Sequence, residues 1–109
     1  MTKNHCICEY SMRDGVLCVT VAGEIDHHRA VRVRVEIDEK ICALMPKRTV
    51  LDLHSIEFMD SSGLGLIMGR YALMEKLGGT LALKNPNERI VKILKMAGFD
   101  QKIEIEEEK

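Results

Sequence analysis

Asp26-His27-His28-Arg29-Ala30-Val31-Arg32-Val33-Arg34-Val35-Glu36-Ile37-Asp38-Glu39-Lys40-Ile41-Cys42-Ala43-Leu44 carries two periodicities at once. Val31, Val33, Val35 and Ile37 alternate with Arg32, Arg34 and Glu36, as on a half-buried strand. Ala30, Val33, Ile37, Ile41 and Leu44 recur at spacings of three and four, as on one face of a helix. The segment is longer than an ordinary strand and no turn residue interrupts it, so it reads as a helix. Asp26 is placed to cap it, because a carboxylate there accepts from the free N–H groups of the first turn, and Pro46 closes it. With this segment helical, the chain is α/β and not all β.

Upstream, two β-like runs, Cys6 to Met12 and Val16 to Ala22, flank Arg13-Asp14-Gly15, a hairpin turn signal. In the second run Leu17, Val19 and Val21 form the expected core face. Downstream, Thr49-Val50-Leu51-Asp52-Leu53 reads as a short buried strand. A second helix follows Asp60-Ser61-Ser62-Gly63, with Leu64, Ile67, Tyr71, Met74 and Leu77 expected on its inner face and Gly78-Gly79 ending it. Thr80 to Leu83 reads as another strand and Asn85-Pro86-Asn87 as a turn and cap. Ile90, Ile93, Leu94 and Ala97 stripe a third helix ended by Gly98, and Ile103 with Ile105 suits a last strand. The residues from Glu104 to Lys109 are expected to form a solvated acidic tail. An antiparallel N-terminal hairpin joined to parallel β-α-β units gives a small mixed sheet covered by helices, with right-handed crossovers.

The 109 residues carry 16 Lys plus Arg and 17 Asp plus Glu, a formal net charge of −1, and 46% are apolar. One domain spanning 1–109 is the expectation. No long basic block is present to neutralise phosphates, and 4% aromatic residues without Trp leave few stacking platforms, which argues against nucleic acid. No stretch nears the roughly 18 apolar residues of a membrane span, and the first residues lack a signal-peptide apolar core, so a cytoplasmic protein without membrane contact is expected. Cys6, Cys8, Cys18 and Cys42 form no Cys-x-x-Cys pair, His27-His28 are adjacent, and His5 and His54 stand alone. The thiols are expected reduced and mostly buried, with neither metal nor cofactor.

Phe58-Met59-Asp60-Ser61-Ser62-Gly63-Leu64-Gly65 is the stretch with most chemical content. Its structural reading makes Ser61 or Ser62 the N-cap of the second helix. Its functional reading notes that a hydroxyl beside unpaired N–H groups and the positive end of the helix dipole suits a phosphate, so such a serine is a candidate phosphorylation site. A third dinucleotide-loop glycine is missing, since Met68 holds that place, and no Gly-Lys-Ser or Gly-Lys-Thr follows. The serines also lack the preceding Gly-x of a nucleophile elbow, and nothing in the sequence places His54 as a base. The chain therefore reads as a non-enzyme.

Taken together, Gly23-Glu24-Ile25-Asp26-His27-His28-Arg29-Ala30 and Phe58-Met59-Asp60-Ser61-Ser62-Gly63-Leu64-Gly65-Leu66-Ile67-Met68-Gly69-Arg70-Tyr71 resemble the anti-sigma factor antagonist family of STAS domains. The resemblance covers nearly the whole chain and implies the same small mixed sheet with helices on one side, including a helix over Asp26 to Leu44. It implies binding to an anti-sigma factor that is also a serine kinase, so that a sigma factor is released. It further implies phosphorylation at the serine directly after the aspartate, here Ser61, which ends binding, and restoration by a metal-dependent serine phosphatase of the PP2C type. Asp26, His27, Asp60, Ser61, Ser62 and Gly63 are the partner-binding residues it implies. The other reading is a STAS scaffold module of a stress-signalling complex with no direct part in sigma-factor release. Duller roles stand beside these: Asp26 as a cap, His27 and His28 as solvent-facing residues, Gly65 with Gly69 as a close approach of helix to sheet. The resemblance also implies a further helix after the last strand, where this sequence runs Glu106-Glu107-Glu108-Lys109, and apolar surface beneath it is expected to lie open.

Overall fold

The computed structural model describes residues 7–59 and 61–106, without the side chains at 7, 57 and 58. Strand β1, Ile7–Arg13, turns through Asp14 and Gly15, both at positive φ, into strand β2, Val16–Ile25. Arg13 pairs with Val16, so the loop has two residues, and the left-handed pair is the turn that matches the twist of a hairpin. The Gly15 carbonyl then accepts from the N–H groups of Lys47 and Arg48, tying the turn to the next strand.

Helix α1, His27–Leu44, settles the opening ambiguity. Asp26 caps it by accepting from the Arg29 N–H at 2.9 Å, and Met45, in the left-handed conformation, ends it just before Pro46. Ala30, Val33, Ile37 and Ile41 are buried, as the spacing of three and four requires, whereas Val31 and Val35 face outward. Leu44, expected on the inner face, is exposed beside the helix end. Strand β3 is Arg48–Asp52, and a second short strand, β4, Ile56–Met59, follows after Leu53-His54-Ser55. Helix α2 is Ser61–Lys76, strand β5 Thr80–Lys84, helix α3 Glu88–Met96, and strand β6 Glu104–Glu106, preceded by a 3-10 turn at Phe99–Gln101.

Five of the described strands lie side by side in the order β1-β2-β3-β5-β6, antiparallel only between β1 and β2. β3 pairs with Val16 to Thr20 of β2, and β4 takes over along the same edge from Gly23 to Ile25. Leu17, Val19, Val21, Leu51, Leu81 and Leu83 pack in one cluster with inward residues of all three helices, which puts the helices on one face of the sheet. On the other face Arg48 pairs with Glu104 at 2.7 Å and with Glu106, across the strand that carries Ala82. Glu104 and Glu106 are thus β6 residues with a cationic partner, not a free tail; residues 107–109 lie outside the described residues.

The inner face of α2 differs from the expected stripe: Gly63, Leu66, Ile67, Arg70 and Met74 are buried, Leu64 and Tyr71 lie half-buried at the edge, and Leu77 is exposed. Among the inward residues is Arg70, 4% exposed, whose Nη2 donates to Asp38 of α1 at 3.2 Å while its Nε sits 2.7 Å from the second carboxylate oxygen, out of hydrogen-bonding alignment. An arginine paired with Asp38 thus takes an inward place that periodicity gives to an apolar residue, while Ile67 and Met74 of the expected stripe stay buried. In α3 only Ile90 and Leu94 are buried; Ile93 is half-buried and Ala97 is an exposed cap residue. The thiols also differ from expectation, since Cys18 lies on the outward face of β2 and Cys42 on the outward side of α1, both exposed, with Cys8 half-buried. Cys6 lies outside the described residues.

Candidate functional site

Three consecutive residues at the start of α2 point in three directions. Ser61 is the first helical residue and is exposed, so neither it nor Ser62 is the cap; the position before the helix is residue 60, outside the described residues. Asp60, named from the sequence as a partner contact, is therefore not placed. Ser61 lines a cleft of about 70 Å³ between α2 and α3, with Met59, Leu64, Asn87, Arg89, Ile90 and Ile93 around it. Ser62 is half-buried and turns the other way, into a groove of about 210 Å³ between α1 and α2. Gly63 faces down onto β4, where a Cβ would stand 1.9 Å from Cγ of Met59. That glycine is the point at which helix and sheet come too close for a side chain.

The α1/α2 groove is walled by His27, Ala30, Val31 and Arg34 on one side and by Ser62, Gly65 and Leu66 on the other. His27, Val31 and Arg34 recur at four and three along α1, which sets them on one exposed line. Gly65 has nothing within 4 Å of where its Cβ would be, so its smallness keeps the groove open instead of seating the helix on the sheet. Gly69, which does not line the groove, likewise has nothing within 4 Å of where its Cβ would be. The close approach expected at these two glycines occurs at Gly63.

One turn further along the two helices, four residues beyond Arg34 and Leu66, the Arg70–Asp38 pair joins them. Burial pulls the Arg70 pKa down, Asp38 pulls it back up, and Arg34 on the groove wall adds to the lowering. Asp26 sits at the foot of α1 and has its carboxylate committed: it accepts from the Arg29 N–H and from the Arg29 guanidinium at 2.8 Å. Those contacts, the backbone N–H first, hold its carboxyl below the usual range. His27 and His28 meet edge to face with ring centres 5.9 Å apart, and of the two only His27 lines the groove.

Of the residues singled out from the sequence, His27 and Ser62 meet across the groove, and Ser61 opens onto the adjoining cleft. Gly63 anchors the turn between them and Asp26 caps the helix that carries His27. Sequence reading missed Val31, Arg34 and Gly65 on the groove and Arg89 on the cleft. The spacing His27, Val31, Arg34 was a signal for the first pair; Arg89 required knowing that α3 starts beside α2. Among the described residues no three His, Cys, Asp or Glu gather as metal ligands, and no described helix is long and apolar enough to cross a membrane.

Comparison with known proteins gives four informative matches. The family model of the STAS domain matches residues 9–109. An anti-sigma F factor antagonist from Paenibacillus polymyxa is 44% identical over 85 residues, which cover 78% of this chain and 73% of that protein. Two solved structures superpose closely at 26% identity: the anti-sigma factor antagonist SpoIIAA in its unphosphorylated form, with a TM-score of 0.74 over 91% of this chain and 87% of that one, and the Bacillus cell fate determinant SpoIIAA in the phosphorylated form, with a TM-score of 0.76 over 91% and 90%.

Proposed function

The chain belongs to the STAS domain family, and from that footing we propose that it is an anti-sigma factor antagonist: a cytoplasmic, non-enzymatic switch that binds an anti-sigma factor serine kinase and so frees a sigma factor. Phosphorylation of Ser61 switches it off, and a PP2C-type serine phosphatase restores it. The observation that carries this reading is the placement of Ser61, exposed in the first turn of α2 directly before Ser62, which lines the groove opposite His27. A kinase reaches that hydroxyl without unfolding the domain, and a partner seated on this end of α2 lies against it.

Phosphoserine brings about −1.5 to −2 charges at pH 7. On a surface fitted to a neutral hydroxyl, that charge and bulk oppose the partner while the core beneath stays as it is. The similarity of this chain to SpoIIAA structures in both the phosphorylated and the unphosphorylated form supports a surface switch over a refolded domain. The antagonist names of the relatives favour this reading over a scaffold module of a stress-signalling complex.

The test is the intact mass of the protein after incubation with its cognate anti-sigma kinase and ATP, beside Ser61→Ala. One added phosphate that disappears in the variant supports the switch and its residue together. No added mass, with the kinase shown active on another substrate, sinks the proposal in favour of the scaffold module. Added mass that persists in Ser61→Ala moves the acceptor to another residue.

A further inference from the structure

We propose that Arg89, assisted by Asn87, receives the phosphoryl group carried by Ser61 and draws it into the cleft between α2 and α3. The inference deepens the reading of Ser61 as the modified residue and rests on it. Three features of the cleft carry it. Ser61 and Arg89 line one small cavity from opposite helices, so a group extending the serine side chain advances toward the guanidinium. Arg89 is exposed on the first turn of α3 and has neither an ion pair nor a hydrogen bond among the described residues, in contrast to Arg29, Arg48 and Arg70, each committed to a carboxylate. Asn87 spends its side-chain oxygen capping α3, accepting from the Ile90 N–H at 2.8 Å, which leaves its amide hydrogens as donors at the same cleft.

The rest of the cleft is apolar: Met59, Leu64, Ile90 and Ile93 offer an anion nothing and reduce its contact with water. A guanidinium matches phosphate oxygens with paired N–H donors, and such charge-assisted bonds are about twice as strong as neutral ones. The two serines then have separate tasks, since Ser62 faces the α1/α2 groove while a phosphate on Ser61 is turned toward α3.

The test needs no kinase. Phosphoserine is installed at position 61 during translation, and the second ionisation of its phosphate is followed by 31P NMR in the otherwise unaltered chain, in Arg89→Gln and in Lys92→Gln. Lys92 lies on the same helix but lines a different surface, with Val91, Lys95 and Met96, so its variant removes an equal charge without touching the cleft. The proposal expects Arg89→Gln to raise the phosphate pKa by about half a unit or more, a roughly threefold loss in ionisation constant, because a cation in contact favours the dianion. Lys92→Gln is expected to shift it far less. An unchanged pKa in Arg89→Gln, or equal shifts in both variants, overturns the pairing. Failure of a kinase to modify Ser61 would count against the proposed function alone, since here the phosphate is present by synthesis.

Discussion

Gly63 and Met59 show how one missing side chain sets the geometry of the site. The Cβ that alanine would add at 63 stands 1.9 Å from Met59 Cγ and 2.5 Å from its sulfur, and Met59 is itself buried, so relief requires a new rotamer in a filled core. Overpacking of this kind costs about 1–3 kcal/mol. Replacing glycine inside a helix returns up to about 1 kcal/mol, which leaves a net loss. Gly63→Ala is therefore expected to lower the urea midpoint, and it displaces the first turn of α2 that presents Ser61 and Ser62. An unchanged midpoint would mean that Met59 moves aside freely and that Gly63 does not fix the turn. The sequence marked Gly63 through its motif, but nothing in it said which of Gly63, Gly65 and Gly69 met the sheet. That distinction depends on the direction in which α2 leaves β4, a tertiary fact.

The elements were legible wherever one periodicity dominated. The hairpin announced itself through Asp14-Gly15 and the alternation of Leu17, Val19 and Val21, and α1 through the inner line Ala30, Val33, Ile37, Ile41, with the competing valines 31 and 35 left outside. β4 escaped notice because four residues are too few for a pattern and because it only continues the edge that β3 vacates. The face of α2 was misjudged for an energetic reason: hydrophobic periodicity has no means of seeing an arginine that turns inward to meet Asp38, on a helix far away in sequence. That pair makes a prediction about elements. Removing the countercharge with Asp38→Asn leaves the Arg70 guanidinium buried and unpaired, a loss that runs to about 3–5 kcal/mol for fully enclosed pairs. With the Asp38 side chain 34% exposed, water offsets part of it, and about 1–3 kcal/mol is expected here. The double variant Asp38→Asn, Arg70→Met removes the stranded charge and is expected to recover most of the loss. Chemical denaturation of the two single variants and the double one reads this as a coupling; simple additivity would show that the pair does not hold α1 against α2.

At the scale of the molecule, the proposed function puts stability and recognition on different surfaces. The core lies between one sheet face and three helices, the opposite face is tied across by Arg48 to Glu104 and Glu106, and the groove lies along the outer rim between α1 and α2. A change on that rim can therefore alter binding without unfolding the domain, and Gly65 is the place to test the separation. Its Cβ would meet nothing of this chain within 4 Å, so Gly65→Ala carries no packing penalty. By helix propensity alone it is expected to gain about 0.5–1 kcal/mol in stability. The added methyl projects into the groove that His27, Val31 and Arg34 share with Ser62, in the space a partner would use. The expected outcome is a protein that melts at the same temperature or higher yet binds the anti-sigma kinase more weakly by calorimetric titration. Undiminished affinity would move the docking surface off the groove and toward the cleft beside α3. A lowered melting temperature would show instead that Gly65 has a structural role that its open surroundings do not reveal.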